Sequence, residues 1–479
     1  MRVLNNQMRK IGQMRKIGMR MATAFVVLSP VALVPMAAHS DTLGDALTSA
    51  YNHSGLLEQN RALLRVADEN VASAAAALKP ILNWSVTAEY RDTSPTSFFS
   101  PRNPVTDVTA QITASLLLYD SGGSKASIDA LKETVLATRA GLVSIEQQIM
   151  LRAVAAYFNL RQSGEIVALR RNNLRLLTQE LRAARDRFEL GDITRTDVAL
   201  AEARLAQARS GLATAEGNQI KAVEEFRNVV GRKPGRLNVP KLPKVETNLK
   251  RAKSLAVRSH PDMAQVQHQV ASLEHSIFAA KAAMDPTYTL NGSVRAVETY
   301  NADTSSTRAA VGVTVQGPIY QGGALSSAVR REIARRDAAR GNLHVVRHNV
   351  QQEVGNAFAD VGIARASLEA SERQIRASRV AFRGVREEVK VGSRTTLDVL
   401  DAEQELLDAE ASRITAQSQQ YVAAYTVLAS MGLLTAKNMN LPVQQYDPAA
   451  YYELVKDGVA VRSKQGRQLD KVLRALQKD

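Results

Sequence analysis

The chain contains no cysteine. That excludes disulfide staples, thiol catalysis, thiolate metal sites and a lipid-modified cysteine as an anchor. Beyond residue 40 no apolar run approaches the roughly 18 residues that a membrane-crossing helix needs. Any membrane segment must therefore be made of strands. Proline is missing from two long windows, 105–233 and 319–441, which are rich in Ala, Leu, Glu, Gln and Arg. Such windows permit uninterrupted helices far longer than those of ordinary globular domains. Aromatic residues make up only 5% of the chain, with a single tryptophan. The stacking platforms of single-strand nucleic-acid binders are correspondingly scarce.

Acidic residues are absent from the first forty positions, which hold Arg2, Arg9, Lys10, Arg15, Lys16 and Arg20. These six account for part of the formal charge of +15; without them 56 basic residues face 47 acidic ones, an excess that calls for no nucleic-acid partner. Residues 1–40 read as an export signal: a basic start, an apolar run over 21–36 broken by Pro30 and Pro35, then Ala38-His39-Ser40 with small residues at −3 and −1. The run is too short for a transmembrane anchor. The hexapeptide QMRKIG occurs at 7–12 and again at 13–18, so Met14, Met19 and Met21 are alternative starts.

What remains is a tandem duplication with an offset of 201 residues. Tyr119 matches Tyr320, Gly122 matches Gly323 and Gly231 matches Gly432. Residues 41–231 and 248–437 are the two repeats; 232–247, with Pro234, Pro240 and Pro243, is an extended linker, and 438–479 is a loop with a charged tail. Each repeat predicts a leading helix (42–79, and 249–284 broken early by His260-Pro261), a strand pair, and a hairpin of long helices. Those helices run over 124–188 and 197–230 in the first repeat, and over 325–391 and 397–431 in the second. At 1.5 Å per residue the longer arm reaches ~100 Å, which requires side-by-side packing as a coiled coil. The hairpin tips are Leu190-Gly-Asp-Ile-Thr-Arg-Thr-Asp197 and Val391-Gly-Ser-Arg-Thr-Thr-Leu-Asp398. In each, a glycine closes one helix and a threonine followed by Asp-Val opens the next.

Between the helices the apolar period changes from 3.6 to 2. Leu82, Trp84, Val86, Ala88 and Tyr90 alternate with Asn83, Ser85, Thr87, Glu89 and Arg91. Val108, Ala110, Ile112, Ala114 and Leu116 do the same, as do Tyr288, Leu290, Val294 and Ala296, and finally Val311, Val313 and Val315. With an export signal, and with polar loops at 93–106 (containing Phe98 and Phe99) and 300–307, this alternation reads as outer-membrane strands with lipid on one side and water on the other. An antiparallel sheet lying on a core gives the same period. Four strands cannot close a barrel and open edges are not tolerated in lipid, so several chains must share one; three chains give an even twelve.

On its two tips, its two strand-to-helix turns (Leu118-Tyr-Asp-Ser-Gly-Gly123 and Pro318-Ile-Tyr-Gln-Gly-Gly323) and its duplication, the chain resembles the TolC family of outer-membrane efflux proteins over residues 41–435. The resemblance implies an α+β membrane protein: a homotrimer with a shared twelve-stranded transmembrane β-barrel, continued by a long coiled-coil helical barrel through the periplasm. It implies an exit duct of a tripartite efflux pump or type I secretion system. Its partners would be a periplasmic adaptor and an inner-membrane transporter or secretion ATPase, with the outer-membrane lipid around the barrel. Family acids at the narrowest ring match Asp398 and Asp401; the gate contacts match Arg394, Thr196 and Asp197. The adaptor-docking tips match Leu190, Gly191, Thr194, Val391, Gly392 and Thr395. A gate tyrosine of some members falls on Val389, and the lipid-bearing cysteine of others is absent, which places the chain nearer the unacylated branch.

Independently of the resemblance, Asp398 and Asp401 lie three residues apart and so on one helix face, whereas the first tip has Asp197 and Leu200. Facing a shared lumen they would attract cations and repel anions; otherwise they are ordinary acids favoured at a helix N-terminus. His344 and His348 stand at i, i+4 without a third ligand, Asp120-Ser-Gly-Gly-Ser-Lys125 lacks phosphate-loop spacing, and the arginine clusters 170–187 and 330–340 read as solvated helix faces. No metal, cofactor, nucleic acid or enzymatic activity is expected. The competing reading is a periplasmic coiled-coil scaffold or adaptor without a pore.

Overall fold

The computed structural model describes residues 40–92, 104–300, 304–456 and 463–476. The expected export signal, the loop carrying Phe98 and Phe99, and residues 301–303 of the second loop lie outside these. The first repeat comprises β1 (Ser40–Asp41), α1 (Leu43–His53), α2 (Gly55–Ala76), β2 (Ile81–Arg91), β3 (Val105–Tyr119), α3 (Gly123–Glu189) and α4 (Arg195–Val230). The linker holds β4 (Arg236–Leu237). The second repeat comprises α5 (Leu249–Ser259), α6 (Pro261–Ala282), β5 (Thr287–Thr299), β6 (Thr304–Gln316), α7 (Ala324–Lys390) and α8 (Thr396–Ser430), followed by α9 (Ala450–Val455) and α10 (Lys464–Leu476). Both long arms contain 67 residues, ~100 Å of helix.

Two expectations need correction. The leading helix of the first repeat is not continuous, because the Ser54 side chain accepts from Leu57 N–H and starts a second helix. Its counterpart does break at His260-Pro261 as expected, where Pro261 cannot donate to the preceding turn and opens α6 instead. The return strand of the second repeat begins at Thr304, well before the alternation that reveals it at Val311.

The strands form one antiparallel sheet in the order β2-β3-β5-β6. Its register carries the alternation sideways as well as along each strand: Trp84, Ile112, Val294 and Ala309 lie in one row, and Leu116, Leu290 and Val313 in another. One face is thus apolar across all four strands. The opposite face sets Asn83, Thr113 and Ser293 in a row, and Gln111, Arg295 and Arg308 in the next but one. Among the described residues nothing covers the outer strands of the apolar face: Trp84 is 79% exposed and Val311 82%. Tyr119 and Tyr288 meet edge to face, 5.8 Å between ring centres, where the sheet joins the helices. Among the described residues strands β2 and β6 each leave one edge unpaired.

Below the sheet, the main core joins α1, α2 and the middle of α3 to the end of α4 and the segment after α8, around Tyr157, Phe158, Phe226 and Leu434. The linker is tied there. β4 pairs in parallel with β1, the Asp41 carboxylate accepts from Arg232 (2.7 Å) and Gly235 N–H (2.6 Å), and the Tyr157 hydroxyl reaches the carbonyls of Asp41 (2.9 Å) and Asn238 (2.6 Å). The residues after α8, expected as loop and unassigned tail, fold back on α2. Tyr451 donates to Glu69 (2.6 Å), and the Arg61 guanidinium lies between the Tyr51 and Tyr446 rings. The helical hairpins have smaller cores of their own, including Leu177, Leu181, Ala201 and Leu205 in the first and Phe382, Val389 and Val399 in the second.

Candidate functional site: the paired helix tips

Both tips are built alike. In the first, Gly191 at φ +82° reverses the chain after α3, with its N–H on Phe188 C=O and Asp192 N–H on Arg187 C=O. A left-handed residue at this position is disfavoured for any side chain. Thr194 then caps α4: its Oγ accepts from Asp197 N–H (3.3 Å), while its own N–H (3.0 Å) and hydroxyl (2.7 Å) donate to the Asp197 carboxylate. The second tip repeats this with Gly392 at φ +75° and with Thr395 and Asp398 at 3.3, 2.8 and 2.7 Å. These are reciprocal capping boxes, each worth on the order of 1 kcal/mol to its helix. Leu190 and Val391 stand out at the apices, 78% and 80% exposed.

The two candidate ring acids are held differently. Asp398 does the work of a cap, and the two Thr395 donors, with Arg394 nearby, hold its carboxyl below the usual range. Asp401, one turn on and 57% exposed at its side chain, is bound by Arg204 of α4 at 2.5 Å. Arg394 turns back on its own tip, donating from Nε to Glu388 Oε2 at 3.1 Å. Thr196 is exposed on the first turn of α4 and Asp197 is engaged in its cap, and no described contact within the protomer joins either to Arg394. Val389, where some relatives carry tyrosine, is buried against Phe382 and Val399 inside the α7/α8 coil.

Three participants escaped the sequence reading: Arg204, and the pair Asn173 and Glu403, whose side chains meet at 2.7 Å between α3 and α8. A signal for Glu403 existed. It stands between Val399 and Leu407 at i, i+4 spacing, a charge set into a buried stripe. Burial raises its pKa to about 7, against the lowering effect of the Asn173 bond and of Arg386; Glu180 adds to the rise.

An open sheet, apolar on one face and polar on the other, joined to helical hairpins ~100 Å long, is the architecture of an outer-membrane channel protein. Among the described residues no helix is long and apolar enough to cross a membrane. The family model for outer membrane efflux proteins matches residues 46–232 and 253–433, one segment on each repeat. The chain is 34% identical over 440 residues to the outer membrane efflux protein BepC of Brucella suis, covering 91% of this chain and 95% of that one. It is 24% identical over 311 residues to the outer membrane protein TolC of Escherichia coli, covering 61% and 63%. Among solved structures, the Campylobacter jejuni CmeC outer membrane channel superposes with a TM-score of 0.74 at 16% identity, covering 87% of this chain and 90% of that one. The chain belongs to the outer membrane efflux protein family and is an outer-membrane efflux channel protein reaching into the periplasm. The pore-free scaffold finds no support, and the family is one of channels rather than enzymes.

Proposed function

We propose that three copies close their sheets into a twelve-stranded barrel and their hairpins into a tunnel, forming the exit duct of a tripartite efflux or type I secretion machine. The observation that carries this is the pair of unpaired edges on β2 and β6. In hydrocarbon every exposed backbone N–H and C=O costs several kcal/mol, and only closure removes them all. The tips around Leu190, Gly191, Thr194, Val391, Gly392 and Thr395 are the surface for a periplasmic adaptor, which links the duct to an inner-membrane transporter or secretion ATPase. Opening moves the tips apart and breaks the contacts of Arg394, Thr196 and Asp197 across neighbouring coils.

Asp398 and Asp401 form the constriction and favour cations there. Because Arg204 already answers Asp401, Asp398 carries more of the uncompensated charge. Single-channel conductance of the purified protein in a planar bilayer tests the reading, with wild type beside Asp398→Ala/Asp401→Ala. The expected result is cation-selective steps blocked by trivalent cations, with block lost in the double variant. Folded protein without conductance would refute the duct; unchanged block would move the constriction to other residues.

A further inference from the structure

Glu403 is a buried acid at a joint that must move if the tips part. Its side chain, 4% exposed, lies where α8 of the second repeat packs on α3 of the first. Oε1 accepts from Asn173 Nδ2, and Oε2 has no hydrogen-bond partner. Among the charged groups around it, the guanidinium of Arg386 on α7 lies 3.6 Å from Glu180 of α3, and Arg204 on α4 is bound to Asp401 of Glu403's own helix. Arg170 on α3 lines the same cleft and makes no described ion pair with Glu403. Each nearby cation pairs with another acid, and Glu403 makes no described ion pair; Arg386 eases its charge only at a distance. Beside it opens a cleft of about 500 Å³, bordered by Arg204, Gln207 and Thr214 of α4 and by Gln404.

We propose that Glu403 is a proton-responsive latch between the two coils of a protomer: neutral, it lets α8 lie against α3; ionised, it drives that contact open and takes up water from the cleft. A buried carboxyl without a cation is stable only when protonated, and a carboxylate recovers its hydration when the helices separate. The sign follows from its direction. Packing raises the carboxyl from 4.5 to about 7, so the packed joint gains stability as pH falls through about 7 toward 4.5 and loses it as pH rises. Between about pH 7.5 and pH 6 this amounts to a change of roughly eightfold in the ratio of packed to open joints. The link to tip opening rests on the proposed duct; the latch itself does not.

The cysteine-free chain allows nitroxide labels at Thr178→Cys on α3 and Glu405→Cys on α8, both exposed, with their separation measured by electron double resonance in the purified full-length protein. The expected result is a short distance whose weight relative to the long one rises roughly eightfold from about pH 7.5 to pH 6. In the Glu403→Gln background, which keeps the acceptor for Asn173, the short distance should dominate at both pH values. A pH response that survives Glu403→Gln, or no response in the parent, would overturn the latch. Conductance recorded on the same proteins separates the two readings. Channels whose opening ignores Glu403→Gln leave the duct and remove the latch as its regulator, whereas a distance change without conductance keeps the latch and removes the duct.

Discussion

The sheet predicts that two neighbouring residues of one strand respond oppositely to the same substitution. Ile112 is near the middle of β3, 56% exposed, in the apolar row with Trp84 and Val294; Thr113 is in the polar row with Asn83 and Ser293. β2, with 11 residues at ~3.4 Å each and tilted by about 40°, spans ~28 Å across the membrane, enough for an apolar band of ~25 Å. Row Ile112 then sits close to the midplane, where an arginine facing lipid costs about 2–4 kcal/mol. Leu116, four residues on, is ~10 Å nearer the interface, where the same change costs about 0–1 kcal/mol. Arginine at Thr113 faces water and should cost little while shifting selectivity toward anions. Reversible urea titration of protein folded into lipid vesicles would give the order Ile112→Arg far above Leu116→Arg, with Thr113→Arg near wild type. Equal costs at 112 and 113 would mean that the apolar face does not meet lipid.

Removing the Tyr157 hydroxyl by Tyr157→Phe takes away the proton it shares between the Asp41 and Asn238 carbonyls, while the Asn238 N–H still donates to Asp41 C=O, and should weaken the linker tie by about 0.5–1.5 kcal/mol, read as faster proteolysis within 232–247. Thr395→Ala removes a cap worth about 0.5–2 kcal/mol, so amides at the start of α8 should exchange faster, while those of α4, capped by Thr194, stay unchanged. Asp68 is wholly buried against the returning C-terminal segment, with neither oxygen hydrogen-bonded and Arg139 4.0 Å away; burial above all raises its carboxyl to about 6, Arg139 opposing and Glu69 adding. Since 6 lies above the ordinary 3.8, that packing should tighten as pH falls through about 6 and loosen as it rises. Proteolysis of the C-terminal segment against pH checks it, and Asp68→Asn should flatten the profile.

Periodicity carried most of the fold. The long arms were legible because 67 residues without proline leave helix as the only regular answer, and the strands because their alternation holds over most of each ladder. The break at Ser54 was hidden: a serine within a helical pattern signals a cap only once the chain beyond it changes direction. The start of β6 was hidden too, since Thr304, Ser305, Ser306 and Thr307 show no alternation and are strand because β5 pairs with them. At the tips, caps are local chemistry: a threonine soon after the glycine and the Asp-Val that follows marked each helix start, while the reciprocal Thr194–Asp197 and Thr395–Asp398 bonds came from the structure. The partner of Asp401 was not legible, because Arg204 stands 197 residues away and their meeting depends on how α4 lies beside α8.

The order β2-β3-β5-β6 has a geometric consequence. Its central junction, β3 with β5, joins the returning strand of one repeat to the opening strand of the next. Where a second copy meets β6, its β2 makes the same kind of junction. The chain therefore contains a template of its own intermolecular seam, with apolar rows meeting apolar rows, and behaves as two tiles already glued along the edge by which further tiles attach. In the proposed ring, changes that suit the internal junction alone would unbalance closure, so both seams are bound to a common geometry.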